Sequence, residues 1–335
     1  MTLNNRTFLV TGGTGFIGTA LVKALVVAGA RVRSLDDESR GSRRRLGQFA
    51  DDVESIKGDI RDVQAVSRAA AGVDCVCHLA YVNGTEFFYS KPDLVLDIAI
   101  RGMLNVVDAC RAHGIGDLVL ASSSEVYQTP PVTPTDETVP LSIPDVLNPR
   151  YSYGGGKIAC ELMAVNFGRV GFDRVTIIRP HNVYGPDMGR EHVIPQFIER
   201  MDRLTHGTVG PVRFPIQGSG QETRAFVYIQ DLVDGVVRVI ERGDHLGIYH
   251  IGTDEEVAIA QLAREVGLCF GREVEVVAGP LLAGSTLRRC PDITKMRALG
   301  FTPRTALKDG LLETVAWYTA HSEPDDRART IVDSE

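Results

Sequence analysis

The sequence lacks the paired C-x-x-C spacing of a structural zinc site; its six cysteines stand at 75, 77, 110, 160, 269 and 290. They read as reduced, mostly buried thiols, and no metal is expected. No run approaches the roughly 18 uninterrupted apolar residues of a membrane span, and the opening MTLNNRTFLVTGG lacks a basic, apolar and small-residue leader. A cytoplasmic protein with no membrane partner is the expectation. An excess of positive charge is also missing: the net charge is -7, which excludes a general nucleic-acid binder built on many phosphate contacts. Local positive sites for small anions stay open. There is one tryptophan, against 34 glycines. Glycine costs chain entropy and is kept where the backbone turns sharply or approaches something closely.

What is present is a soluble, enzyme-sized composition, 44% hydrophobic and 24% charged over 335 residues. TFLVT (7–11) is a short strand-forming run, and apolar residues at helical spacing follow from Thr19 to Ala28. The alternation continues with strands at 31–35, 53–56, 75–79 and 118–121 and helices near 63–70 and 94–113. A helix at 157–167 and a strand at 174–179, read as the last substantial one of the first domain, complete it. Such alternation builds right-handed parallel βαβ units, so the fold class is α/β, a Rossmann-like doubly wound sheet. Pro180, Pro186, Pro195, Pro211 and Pro215 then punctuate a looser, smaller carboxy-terminal lobe. The expected division is 1–180 with a returning segment near 225–255, a lobe of 181–224 and 256–320, and a polar tail at 321–335.

Gly12, Gly15 and Gly18 in TGGTGFIG, with Phe16 and Ile17 between them, follow the first strand and open a helix. There the free amides and the positive helix end suit a pyrophosphate, although a glycine pattern alone is equally a structural turn. Asp36 ends the second strand about 20 residues on, where a carboxylate accepts both ribose hydroxyls and repels a 2′-phosphate. NAD is therefore favoured. Arg40 and Arg43 to Arg45 follow within reach of such a phosphate, but read first as a solvated helix start. Asp59 and Ile60 after the third strand stand where an adenine is bracketed, and Leu79 and Ala80 follow the fourth.

Tyr153-Gly-Gly-Gly-Lys157 opens a predicted helix, so one turn puts phenol and ammonium on one face. A nearby ammonium lowers a phenol from about 10, fitting it to take a proton from a sugar hydroxyl. Alone, the pair reads more readily as an ordinary surface Tyr and Lys on a helix. Ser122, Ser123 and Ser124, then Glu125, follow the apolar strand at the edge where open α/β sheets bind ligands.

With these motifs assembled, the chain resembles an extended short-chain dehydrogenase/reductase of the nucleotide-sugar epimerase and dehydratase group. The resemblance runs from TGGTGFIG through HLAY (78–81), SSSEVY, YGGGK, RPHNVYGP (179–186) and TRAFVYIQDLVDGVV (223–237) to RRCPDITKMRALGFTP (288–303). It implies a tightly held NAD, a catalytic set of Ser123, Tyr153 and Lys157, and a nucleotide-diphosphate sugar as substrate. It further implies that Asn182, Arg224 and Arg289 face that substrate, the arginines on its pyrophosphate, with Ser124 beside them. Helices near 94–113 and 157–167 would pair two copies through a four-helix bundle. Ala99, Gly156, His181 and Ala225 depart from the group's usual Asn, Ser, Phe or Tyr, and Asp or Ser. The expected reaction is inversion at carbon 4 through a transient 4-keto sugar with Tyr153 as base. The alternatives are decarboxylation or 4,6-dehydration with Glu125 as an added acid/base, a keto-sugar reduction, or a non-catalytic NAD sensor. Residues 186–224, including Arg190, His192, Arg213 and Gln217, are expected to shape the sugar pocket. The glycines at 154–156 are expected to make room for cofactor or substrate.

Overall fold

The computed structural model describes residues 3–280 and 286–322. Of the expected polar tail, residues 323–335 lie outside the described residues. Six strands, β1 (Thr7–Thr11), β2 (Arg31–Asp36), β3 (Val53–Lys57), β4 (Cys75–His78), β5 (Asp117–Ala121) and β6 (Arg174–Pro180), join a seventh at Gly247–Ile251 in one parallel sheet. The order across it is Gly247–Ile251, β6, β5, β4, β1, β2, β3. The expectation that β6 was the last substantial strand is therefore corrected. GIYHI pairs with β6 in parallel and is nearly all buried.

Alternation along each strand splits the core into two layers. On β1, Phe8 and Val10 face a cluster with Leu21, Val22 and Leu25 of α1 (Phe16–Val27), whereas Leu9 faces the opposite layer. That second layer is built on α2 (Val63–Ala70) and α4 (Pro92–His113), through Val66, Met103 and Val107. Each such side chain taken from water contributes about 1.5–3 kcal/mol. Between β4 and α4 lies a short helix, α3 (Thr85–Ser90), that periodicity did not indicate. The helix α5 (Ser152–Gly168) packs along α4 and starts early enough to hold both Tyr153 and Lys157. A separate apolar cluster, including Phe197, Met201, Phe214, Leu262 and Leu311, marks the smaller lobe. There Thr223–Ala225 lies between Glu256–Ala258 and Arg288–Arg289, and Arg289 is the register partner of Arg224. Among the described residues no helix is long and apolar enough to cross a membrane.

Candidate active site

The sheet order reverses between β1 and β4, and in an open α/β sheet ligands bind beyond the carboxyl ends at such a point. Thr11, the last residue of β1, fastens that edge. Its hydroxyl accepts from the amides of Leu79 and Ala80 at 3.1 and 3.2 Å and lies 2.8 Å from His78 Nδ1. Burial and the Lys157 charge hold His78 down at about 3, so its ring is neutral; the Thr11 hydroxyl, already accepting from two amides, gives its own proton to Nδ1.

A cleft of about 420 Å³ opens here. Gly12, Gly15, Phe16, Ile17, Gly18, Asp36, Asp59, Ile60, Leu79 and Ala80 line it, as do Ser123, Ser124, Glu125, Tyr153, Lys157, Asn182 and Arg289. Gly12 has φ +71, and a methyl group there would press on the Ala80 backbone at 2.9 Å. At Gly18 a methyl would overlap the Gly12 carbonyl. Gly15 caps α1 with no side-chain hydrogen bond, so the first-turn amides have no side-chain acceptor from the cap. Asp36 accepts from the amides of Thr14 (3.0 Å) and Glu38 (2.8 Å), one on each oxygen, which leaves lone pairs for a pair of hydroxyls. The cradle fits a dinucleotide.

Asp59 is more committed: Arg61 holds both its oxygens and lowers its carboxyl below the usual range. The arginine run divides. Arg43 and Arg44 are exposed, but Arg45 reaches the Asp187 carboxylate at 2.7 and 2.8 Å and lines the cleft, which corrects the solvated reading for that residue. Arg40 pairs with Glu191 and sits over the Phe87 ring at 5.3 Å.

At the other end, Tyr153 is stacked on Phe88 (4.9 Å) and edge-on to Tyr81 (5.1 Å). Lys157 Nζ donates to the Ala121 carbonyl at 2.7 Å and lies 3.8 Å from the Tyr81 ring centre, against 5.9 Å for Tyr153. The expected lowering of the phenol is not found in the protein alone. Burial pushes Tyr153 up to about 12, opposed by a hydrogen bond from Ser123, and burial pulls Lys157 down to about 8. Two of the three glycines at 154–156 are also explained differently. A methyl at Gly156 would overlap the Tyr81 hydroxyl, and one at Gly154 would meet Gln128 at 2.5 Å and the Glu125 carbonyl at 3.1 Å. The space is kept for protein neighbours.

Glu125 is ion-paired with Arg289 at 2.5 Å. Burial raises its carboxyl, but Arg289, Arg150 and Arg224 outweigh this and hold it below the usual range. Arg224 does not line the cleft; it spends its guanidinium on the carbonyls of Thr223 and Thr286, each at 2.7 Å. Asn182 lines the cleft while its amide donates to the Ala225 carbonyl at 3.0 Å. Of the four pocket-shaping residues expected in 186–224, only His192 lines the cleft. Arg190 pairs with Glu199, Arg213 is 3.8 Å from Glu275 at the surface, and Gln217 is exposed. Met188 and Gly189, within that expected range, line it as well, and Phe88 lines it without having been foreseen.

The model of the NAD dependent epimerase/dehydratase family matches residues 8–252, spanning the glycine turn, the Ser123–Tyr153–Lys157 set and the seventh strand. The chain belongs to that family. It is 31% identical to a dTDP-4-dehydro-6-deoxy-D-allose reductase from Streptomyces bikiniensis, over 95% of this chain and 97% of the relative. It is likewise 31% identical to a UDP-glucose 4-epimerase from Mycolicibacterium smegmatis, over 94% and 99%. A structure of a dTDP-glucose 4,6-dehydratase from Streptomyces venezuelae with NAD bound superposes with a TM-score of 0.81 at 29% identity, covering 93% of this chain and 96% of that one. Family members thus reduce, epimerise or dehydrate nucleotide sugars, and the family is NAD-dependent.

Proposed function

We propose that the chain is an NAD-dependent nucleotide-sugar epimerase that inverts carbon 4 through a transient 4-keto sugar. One observation carries the choice: Ser123, Tyr153 and Lys157 line one cleft while the neighbouring carboxylate, Glu125, is ionised and committed to Arg289. Epimerisation needs no acid beyond the tyrosine, whereas removal of water needs a further proton donor, a role an ion-paired carboxylate fills poorly. NAD, when bound, supplies the two-electron acceptor and donor. Tyr153 exchanges the proton of the sugar hydroxyl, Ser123 shares the hydrogen bond to that oxygen, and Lys157 fixes the floor of the site through the Ala121 carbonyl. Asn182 and Arg289, with Arg224 behind, take the nucleotide-diphosphate end.

A second reading is decarboxylation or 4,6-dehydration with Glu125 as base, favoured by the place of that carboxylate in the cleft beside Ser124. A panel of nucleotide sugars followed by mass and proton NMR separates them. Unchanged mass with a new stereoisomer is the expected result; loss of water or carbon dioxide refutes epimerisation. Tyr153→Phe is expected to lower turnover more than a hundredfold while NAD stays bound, and undiminished turnover would remove Tyr153 from the mechanism. For the assembly we propose a homodimer through the outer faces of α4 and α5, where Leu96, Leu104 and Leu162 are partly exposed; sedimentation as a monomer would exclude it. Six unpaired thiols suit a reducing, cytoplasmic setting.

A further inference from the structure

Behind the cleft, a buried polar chain joins its catalytic and phosphate-facing ends. Ser122, next to Ser123, donates its hydroxyl to Glu161, one turn after Lys157 on α5. Arg179 at the end of β6 closes on Glu161 with two bonds, 2.9 and 2.6 Å, and donates to the Tyr127 hydroxyl. Tyr127 Oη is 2.6 Å from His250 Nε2, and His250 Nδ1 is 3.3 Å from the Asp292 carbonyl. That carbonyl accepts a proton from Nδ1, so Nε2 is unprotonated and accepts from the tyrosine; the bonds then run one way from Arg179 through Tyr127 and His250 to Asp292, while Glu161 accepts from both Arg179 and Ser122. The Asp292 amide is in turn bound to the Thr135 carbonyl at 2.7 Å. Asp292 stands three residues after Arg289. Ser122, Tyr127, Glu161, Arg179 and His250 are all at most 5% exposed, so the chain is shielded from competing water.

We infer that Tyr127 and Ser122 are positioning residues on opposite sides of the Arg179–Glu161 pair: Tyr127, through His250, fixes the segment that presents Arg289, and Ser122, through Glu161, fixes Ser123 and α5. The inference rests on the proposed roles of Arg289 and Ser123. Removing Arg179 or Glu161 would strand a buried charge and threaten the fold, so the two hydroxyls are the points to test.

In the NAD-loaded full chain, Tyr127→Phe is expected to raise KM for the nucleotide sugar about tenfold, the worth of one hydrogen bond, with kcat within about threefold. Ser122→Ala is expected to do the reverse, lowering kcat about tenfold with KM nearly unchanged. A general loosening would move both parameters together in both variants, and that result overturns the inference. Hydrogen exchange read by mass spectrometry gives a test without substrate. Tyr127→Phe should speed exchange across residues 286–292 about tenfold, and wild-type exchange there overturns the inference even where turnover changes. If wild-type protein turns over no nucleotide sugar, the proposed function fails, and the exchange result alone then decides this one.

Discussion

Gly156→Ala isolates a contact that no local rule would anticipate. An alanine inside a helix is favoured over glycine by about 1 kcal/mol, so the substitution should stabilise α5. In the folded protein, however, the new methyl would overlap the Tyr81 hydroxyl and lie 3.1 Å from the Ala99 methyl. Overpacking of this kind costs about 1–3 kcal/mol, so the net effect expected is a loss of roughly 1 kcal/mol. Tyr81→Phe removes the obstacle. It gives up the 3.3 Å bond to the Tyr153 carbonyl, worth about 1 kcal/mol, but the nearest ring atom then lies 3.5 Å from the methyl, an ordinary contact.

In the phenylalanine background the same glycine-to-alanine change should therefore stabilise by about 0.5–1 kcal/mol. The sign reverses, giving a coupling near 2 kcal/mol between two residues 75 positions apart in the chain. With an unfolding entropy of roughly 2.1 cal/mol/K per residue, that coupling is a difference of about 3 °C between the two backgrounds. Thermal melts of the four proteins, at one fixed excess of NAD because ligand raises apparent stability, measure it. Alanine at 156 destabilising both backgrounds equally, or stabilising the wild type, would refute the packing argument. Because Lys157 lies on the Tyr81 ring, Gly156→Ala should also lower turnover and Tyr81→Phe should restore part of it.

Asp187→Ala should cost no more than about 1 kcal/mol of stability, since Arg45 and Asp187 are both partly exposed. It should release bound NAD several times faster, because the pair bridges the segments on either side of the cleft; an unchanged release rate in a chase with excess nucleotide would count against that role. Lys157 is a base whose folded value, about 8, lies below its ordinary 10.5 because of burial. Between those two values the unfolded chain binds more protons than the folded one, so stability rises with pH across pH 8 to 10.5, by roughly 3 kcal/mol. Chemical denaturation of wild type and Lys157→Met at several pH values checks this, and identical slopes in the two proteins would refute it.

What the sequence made legible was local. TFLVT and the glycine turn are consecutive, and their chemistry depends on backbone shape a few residues long, so strand, turn and helix could be read directly. The Ser123 and Tyr153 segments were placed for the same reason: each follows or opens an element that its own periodicity defines. Gly247–Ile251 was not, because five residues of mixed character become a core strand only through pairing with β6, some 70 residues earlier. Arg45 looked solvated because its partner, Asp187, is 142 positions away. The departures at Ala99 and Gly156 looked independent in the sequence. In the fold they face each other: a methyl at Gly156 would lie 3.1 Å from the Ala99 methyl, beside the Tyr81 hydroxyl.

The electrostatics of the pair Tyr153 and Lys157 are where local reasoning misled, and the reason bears on the chemistry. A lysine one turn away was expected to draw the phenol down. Its ammonium instead points to the Ala121 carbonyl and the Tyr81 face, and the phenol sits between Phe88 and Tyr81 with little water. Desolvation then acts on both groups in the direction that reduces charge, raising the phenol to about 12 and lowering the amine to about 8. The protein by itself thus holds Tyr153 as a proton donor. The same dry surroundings weaken screening, so a positive charge brought into the cleft acts on the phenol far more strongly than it would in water. Acidity at this site is therefore not a fixed property of the tyrosine but depends on what is bound beside it. A group that donates when the cleft is neutral and accepts when a cation is present serves removal and return of one proton at one oxygen, which is the demand that epimerisation makes.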